Sequence, residues 1–226
     1  VEAMERLQGA LDLHERAGPL WTEMAATKDV QIRADAAQSL VNMALVLQAV
    51  GRVPDAKAAL EKGIEKLGAL VDDFPAARRR RSELASARNN LSGLCGALDD
   101  FDGALAAAAA AEPVWVGLTK DDPKNDEYAV GFAHALQSRA VCLFYGGKPQ
   151  EGLAPLLAAA ESTERALTVR PDNPTYRVMR MKIAETEATL HIELKAAEPA
   201  VVAIEQMLDP RLAPSQTVLV ADRKST

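Results

Sequence analysis

Aromatic residues are scarce in this chain: Phe, Trp and Tyr together make up 4% of 226 residues. A β-sandwich or barrel draws its core from Val, Ile, Thr and aromatic residues, so an alanine-rich chain of this kind points to closely packed helices instead. Cysteine is scarcer still. Cys95 and Cys142 each sit inside an apolar helical pattern and do not amount to a disulfide framework. They are expected to be buried free thiols of a reducing compartment, which makes the expected location cytoplasmic. No run of 18 apolar residues occurs, which excludes a membrane-spanning helix. A net positive charge is also missing. The formal charge is −6 and the isoelectric point about 5.2, so nonspecific nucleic-acid binding, which needs a basic face, is not expected. No signal peptide is visible. The chain opens on Val1 rather than Met, which reads as a fragment of a longer protein and leaves a lost leader open.

What the sequence does have is an internal repeat. Ala44-Leu45-Val46-Leu47 through Leu60, Ser92 through Ala108, and Ala140 through Leu156 align with one another. Each stretch has a small residue (Ala44, Ser92, Ala140), a hydrophobic one (Leu47, Cys95, Leu143), a turn residue (Gly51, Asp99, Gly147) and a second small residue (Ala56, Ala104, Gly152), always 48 positions apart. A fixed period of this size marks a stacked repeat. A partial copy stands at the front. Gly9-Ala10-Leu11 through Trp21 matches Gly103-Ala104-Leu105 through Trp115, which pairs the two tryptophans as groove fillers between stacked helices.

Within each repeat the apolar residues recur every three or four positions, as in Leu40, Met43, Ala44 and Leu47, then Ala56, Ala59, Leu60 and Ile64. That is helical spacing. The break between the two stripes carries turn chemistry. Gly51 can end one helix in a left-handed conformation and Pro54 can open the next. The predicted map is a helix over 2–26 bent near Gly18-Pro19, pairs over 30–50 with 54–71, 78–98 with 102–119 and 127–146 with 149–169, a helix over 174–197, and a short helix over 198–210 before an irregular tail. Pro113 is expected to bend its helix.

These residues resemble the tetratricopeptide repeat. The first full copy matches that motif with Leu40, Met43, Ala44, Leu47, Gly51, Ala56 and Leu60; the second departs at Arg88 and Asp99, the third at Arg139. The resemblance implies an all-α fold, a right-handed superhelical array of antiparallel helix pairs, over residues 1–197, with 198–226 as a short helix and tail. The usual repeat has ~34 residues, whereas this one has 48. The difference is close to four helical turns. It resembles the long-repeat variety of bacterial multidomain signalling proteins. In such an array small side chains let helix axes approach, which gives a reason for the six alanines Ala106 to Ala111. Ala104, Ala108 and Ala111 share a face, and some of the others must face solvent.

Catalytic and metal chemistry find little support. His14, His134 and His191 lie on three different helices with no metal-ligand spacing. His134 is eight residues from Cys142 along one helix, too far to activate it. The aspartates of "DDFD", Asp99, Asp100 and Asp102, fall in the turn between paired helices, where Asp is an ordinary capping residue. No metal, cofactor or catalytic residue is therefore assigned, and a helical enzyme is the weakest alternative. Arg78 to Arg81 form the one basic cluster, but four consecutive helical residues point all round the axis; Glu83 and Asp72-Asp73 are expected to offset them.

The resemblance implies a concave groove lined by the first helix of each pair, and this is where a peptide or partner domain is expected to bind. Carried over by position, the groove residues are Gln38, Val41, Asn42 and Leu45; Ser86, Asn89, Asn90 and Gly93; His134, Gln137, Ser138, Val141, Phe144 and Tyr145; and Lys182, Glu185 and Thr186. One of these positions reads Asn42, Asn90, Ser138 and Thr186, polar each time. Asn42 and Asn90 match the asparagines of relatives that clamp a terminal carboxylate, but Gln38, His134 and Ser138 stand where cations would be needed, so a strong clamp is not expected. The expected function is a non-catalytic interaction or scaffold module, a regulatory part of a larger bacterial protein. The alternative is a spacer or self-association module with its groove filled by its own tail.

Overall fold

The computed structural model describes the backbone of residues 2–24 and 29–209, with side chains over 5–20 and 29–209. Among these residues are nine helices and no strand: α1 Glu2–Met24, α2 Val30–Ala49, α3 Val53–Asp73, α4 Arg78–Ala97, α5 Phe101–Asp121, α6 Asp126–Tyr145, α7 Pro149–Val169, α8 Pro174–Glu193 and α9 Ala197–Met207. The fold is an all-α helical repeat array. First helices begin at Val30, Arg78, Asp126 and Pro174, second helices at Val53, Phe101, Pro149 and Ala197, in steps of 48. Pro19 and Pro113 both lie inside helices.

The turn within each pair explains the register. Gly51, Asp99, Gly147 and Lys195, again 48 apart, have φ of 80°, 57°, 75° and 56°. Each turn carries the same two backbone bonds. In the first, Gly51 N–H donates to the Gln48 carbonyl at 3.0 Å and Arg52 N–H to the Leu47 carbonyl at 2.9 Å. In the last, Lys195 N–H donates to Ile192 at 3.0 Å and Ala196 N–H to His191 at 2.8 Å. This bonding satisfies the last carbonyls of the first helix and needs one left-handed residue. The expected extension of α8 to 197 is thereby corrected. The helix stops at Glu193 because Lys195 takes the left-handed place that a glycine marks in the first and third turns.

The other ends are set by caps. The residues before the first helices are Asp29, Ala77, Asn125 and Asn173. Asp29 Oδ1 accepts from the Gln31 and Ile32 amides, Asn125 Oδ1 from Tyr128, and Asn173 Oδ1 from Thr175 and Tyr176. Ala77 makes no side-chain cap bond.

Two compact units divide the chain within α5, Val1–Val114 and Trp115–Thr226. In the first, Leu11 of α1 joins Val41, Ala44 and Leu47 of α2, Leu60 and Leu67 of α3, and Leu84 and Leu94 of α4 in one core. Small residues form the seams. Gly63 lies against Val41, where a Cβ would sit 3.1 Å from the valine methyl. Ser92 Oγ donates to the Ala104 carbonyl at 2.8 Å, and Arg88 reaches the Ala110 carbonyl at 2.9 Å, an antiparallel register. The alanine run divides as its spacing requires. Ala104, Ala108 and Ala111 are 0% exposed, Ala107 is also buried, and Ala106 and Ala109 face solvent. Around the arginine cluster, Glu83 binds Arg79 and Arg80 at 2.9 and 2.8 Å, while Asp73 pairs with Arg33 at 2.8 Å.

In the second unit, Ala133, Leu136 and Ala140 of α6 pack with Leu156 and Ala159 of α7 and Ile183 and Leu190 of α8. Trp115 is buried beside Tyr128, and Gly131 leaves room for it: a Cβ there would sit 2.5 Å from the indole. The side chain of Trp21, its partner in the sequence alignment, lies outside the described residues. Asp126, buried at the start of α6, accepts from the Tyr176 hydroxyl at 2.8 Å and pairs with Arg170 at 2.8 Å. Burial and that carboxylate push the Tyr176 phenol up to about 12. Both cysteines are buried, and neither is in a disulfide. No described helix is long and apolar enough to cross a membrane. The tail from Pro210 onward lies outside the described residues.

Candidate partner-binding faces

In the first unit the expected groove residues fall into two classes. Gln38 and Asn42 stand one turn apart on α2, and Gln38 Nε2 donates to Asn42 Oδ1 at 2.9 Å. With Leu13, His14 and Ala17 of α1 and Asp35 and Ser39 of α2, they line an open cleft of about 430 Å³. His14 Nδ1 lies 3.3 Å from Ser39 Oγ and ties the two walls together. Leu13 and Leu45 are 64% and 46% exposed beside these polar groups. Asn90 is half-buried. Asn89 and Val41 are corrections to the expected groove: at 2% and 6% exposure both belong to the packed interior. Asn89 is one residue from Asn90, and the ~100° rotation between neighbours on a helix turns it inward.

The part of α1 in this cleft is a feature the sequence reading missed. The groove positions came only from first helices, whereas α1 packs on α2 as a second helix does on the next pair. The signal was available in the match of Gly9 through Trp21 to the start of α5.

In the second unit α6 and α8 run side by side. Gln137 Nε2 donates to Thr186 Oγ1 across them at 3.5 Å, and the Thr186 hydroxyl donates to the Lys182 carbonyl at 2.8 Å. His134, Gln137, Ser138 and Val141 are half-buried, and Lys182 is exposed. Burial, with Lys182 nearby, moves the His134 imidazole below its ordinary value and favours its neutral form. Tyr145 is 61% exposed and stands edge-on to Phe144, with ring centroids 5.1 Å apart.

Amide, hydroxyl and neutral imidazole groups of this kind can donate and accept together, as an extended backbone requires. Asp99 lies in the turn before α5, Asp102 stands in the first turn of α5 itself rather than in the expected inter-helix turn, and Asp100 Oδ2 accepts from Lys57 at 2.7 Å. Burial pushes the Cys95 thiol up even with Lys57 nearby, which disfavours a thiolate. Among the described residues no group of His, Cys, Asp and Glu is placed to hold a metal ion.

No family model matches this chain, and no curated protein does. Its fold is similar to that of MamA from AMB-1, at 15% identity over 97% of this chain and 93% of that one, with a TM-score of 0.44. MamA from MSR-1 shares 16% identity over 92% and 99%, TM-score 0.43. BtubC (BKLC) from P. vanneervenii shares 13% over 89% of each chain, TM-score 0.45. At such identities and scores nothing about function passes from these proteins to this one.

Proposed function

We propose that this chain is a protein-interaction module, a tetratricopeptide-like array of the long-repeat variety, that holds an extended peptide or partner segment against its first helices. The observation that carries this is the open cleft between α1 and α2, where the bonded amides Gln38 and Asn42 stand beside exposed Leu13. The amides serve a peptide backbone and the leucine an apolar side chain. In the second unit Gln137, Ser138, Val141, Tyr145, His134 and Lys182 offer a similar mixture of groups. The 48-residue step of the helix starts supports the long-repeat resemblance, and with it a regulatory place in a larger cytoplasmic bacterial protein.

Peptide display on the immobilised chain, followed by titration of the enriched peptide, tests this. Replacing Asn42 and Asn90 with Ala is expected to weaken binding about fivefold to a hundredfold, at ~0.5–1.5 kcal/mol for each hydrogen bond, and to leave the helical circular dichroism unchanged. Failure to enrich any peptide, or full-strength binding by the double variant, would overturn the groove reading.

A further inference from the structure

Fixed charge in the α1–α2 cleft has one sign. Asp35 is the carboxylate among the residues that line it, and no Lys or Arg lines it. The Asp35 side chain is exposed and has no cation partner among the described residues. Gln31 Nε2 donates to its Oδ1 at 2.7 Å, which leaves Oδ2 to accept from a ligand. The arginines around it are already engaged. Arg33 binds Asp73 at 2.8 Å, and Arg80 binds Glu83 at 2.8 Å and the Gln31 Oε1 at 3.2 Å. The neutral Gln31 amide therefore stands between Asp35 and the Arg80 guanidinium. Lys66 lines a separate pocket, which shares His14 and Ser39 with the cleft but not Asp35.

The spacing along α2 matches an extended chain. Asp35, Gln38, Asn42 and Leu45 follow one another at steps of three and four residues, so they share a helix face. At ~1.5 Å per residue, Ser39 is about 6 Å along the axis from Asp35 and Leu45 about 15 Å. Ser39 meets His14 of the opposite wall, and Leu13 adjoins His14. The exposed leucines Leu13 and Leu45 thus stand about 6 and 15 Å from the carboxylate. In an extended chain alternate side chains share a side, which puts the second and fourth residues from a given one at about 7 and 13 Å. Between these points Gln38 Nε2 is used on Asn42 Oδ1, leaving Gln38 Oε1 to accept and Asn42 Nδ2 to donate. They stand one turn apart and serve the N–H and C=O on one edge of the same chain.

We propose, resting on the interaction-module reading, that the segment held in this cleft alternates basic and aliphatic residues. A Lys or Arg lies at Asp35, and aliphatic side chains two and four positions away lie at Leu13 and Leu45. An acidic segment or a terminal carboxylate is a poor occupant, because it meets Asp35 and finds no cation in the lining. The ion pair forms in an open cleft, so it selects among segments more than it adds affinity.

The test titrates the whole chain with capped peptides carrying Lys-Thr-Leu-Thr-Leu, in that order and reversed, each against the same peptide with Glu for Lys. The lysine form of one order is expected to bind saturably, about fivefold or more tighter than its glutamate form at low salt, with the gap shrinking as salt is added. Asp35→Lys is expected to invert this preference and Asp35→Asn to erase it. Asn42→Ala should weaken both forms by a similar factor, since it removes a backbone contact and not a charge. Moving the leucines to the first and third positions after the lysine turns them to the opposite side of the strand and is expected to cost about tenfold. Asp35 is exposed and bonded within its own helix, so circular dichroism of its variants should stay wild-type. No saturable binding of these peptides, equal binding of the lysine and glutamate forms, or a preference that Asp35→Lys leaves unchanged overturns the proposal. So does a dimer of the chain that Asp35→Lys dissociates, since the cleft then holds a second copy. Peptides enriched by display that respond to Asn42→Ala but not to Asp35→Lys overturn this proposal alone and leave the interaction module standing; enrichment of no peptide overturns both.

Discussion

The first two helix pairs of the amino-terminal unit share one register and differ in almost every residue that would be expected to set it. The α2–α3 pair turns through Gly51, is capped by Asp29 and has Ala44 at its seam; the α4–α5 pair turns through Asp99, begins after Ala77 without a side-chain cap and has Ser92 at its seam. Arg52 in the first turn corresponds to Asp100 in the second. Yet the backbone bonds coincide: Asp99 N–H donates to Gly96 at 3.1 Å and Asp100 N–H to Cys95 at 2.9 Å, as their counterparts do in the first turn. The lesson is that the seam size and the left-handed turn are the shared requirements. The cap, the charge and even the glycine can be replaced, and the α4–α5 pair replaces all three together.

The seam offers the sharpest way to break the comparison. Ala44 is 1% exposed and Ser92 2%. Ala44→Leu overpacks the contact and is expected to cost ~1–3 kcal/mol, whereas Ser92→Ala keeps the size and gives up only one hydrogen bond to a helix carbonyl, ~1 kcal/mol or less. Urea unfolding of the two variants compares them directly. Similar losses would mean that polarity, not size, governs the seam.

Turn strain comes next. Gly51→Val places a β-branched residue at φ 80° and is expected to lose ~1–2 kcal/mol. Asp99→Ala should lose less, because a residue with a Cβ already occupies that turn at φ 57°. Equal melting temperatures for these two variants would show that the turns are not equivalent.

The missing cap gives a gain rather than a loss. Ala77→Asp is expected to add ~0.5–1 kcal/mol, by accepting from the first amides of α4 and by placing an anion beside Arg78 to Arg81. An unchanged denaturation midpoint would indicate that those amides are already satisfied.

The smallest effect concerns charge. The Lys57 ammonium and the Gly103 amide hold the Asp100 carboxyl below its ordinary range, and Asp100 in turn raises Lys57. A depressed carboxylate contributes stability that is present above its unfolded value near 3.8 and lost as pH falls through the folded value. The gap in melting temperature between wild type and Asp100→Asn should therefore be present at pH 7 and close below about pH 4. A gap that persists in acid would assign it to packing.

Most of the helix map was legible in the sequence because the period repeats it. The helices expected over 30–50, 78–98 and 127–146 are Val30–Ala49, Arg78–Ala97 and Asp126–Tyr145. The end of α8 was misjudged because Lys195 carries no turn signal of its own; only its distance from Gly147 points to it. Gln38, Asn42, Gln137 and Lys182 lie where helical geometry puts them, but Asn89 could not be told from Asn90 by residue type.

What the sequence determined by itself is local or periodic: all-helical structure, pairs of helices, the small-residue seams and the place of each turn. These depend on backbone preference and on spacing along one chain. The tertiary structure alone decided which polar side chains stay open and which are enclosed. Asn89 is buried, α1 becomes a wall of the cleft with Asn42, and Ile204 stands exposed where Leu60 and Leu156 are covered. Each of these depends on what a neighbouring helix places over the residue, and burial is set by that neighbour rather than by the residue's own identity.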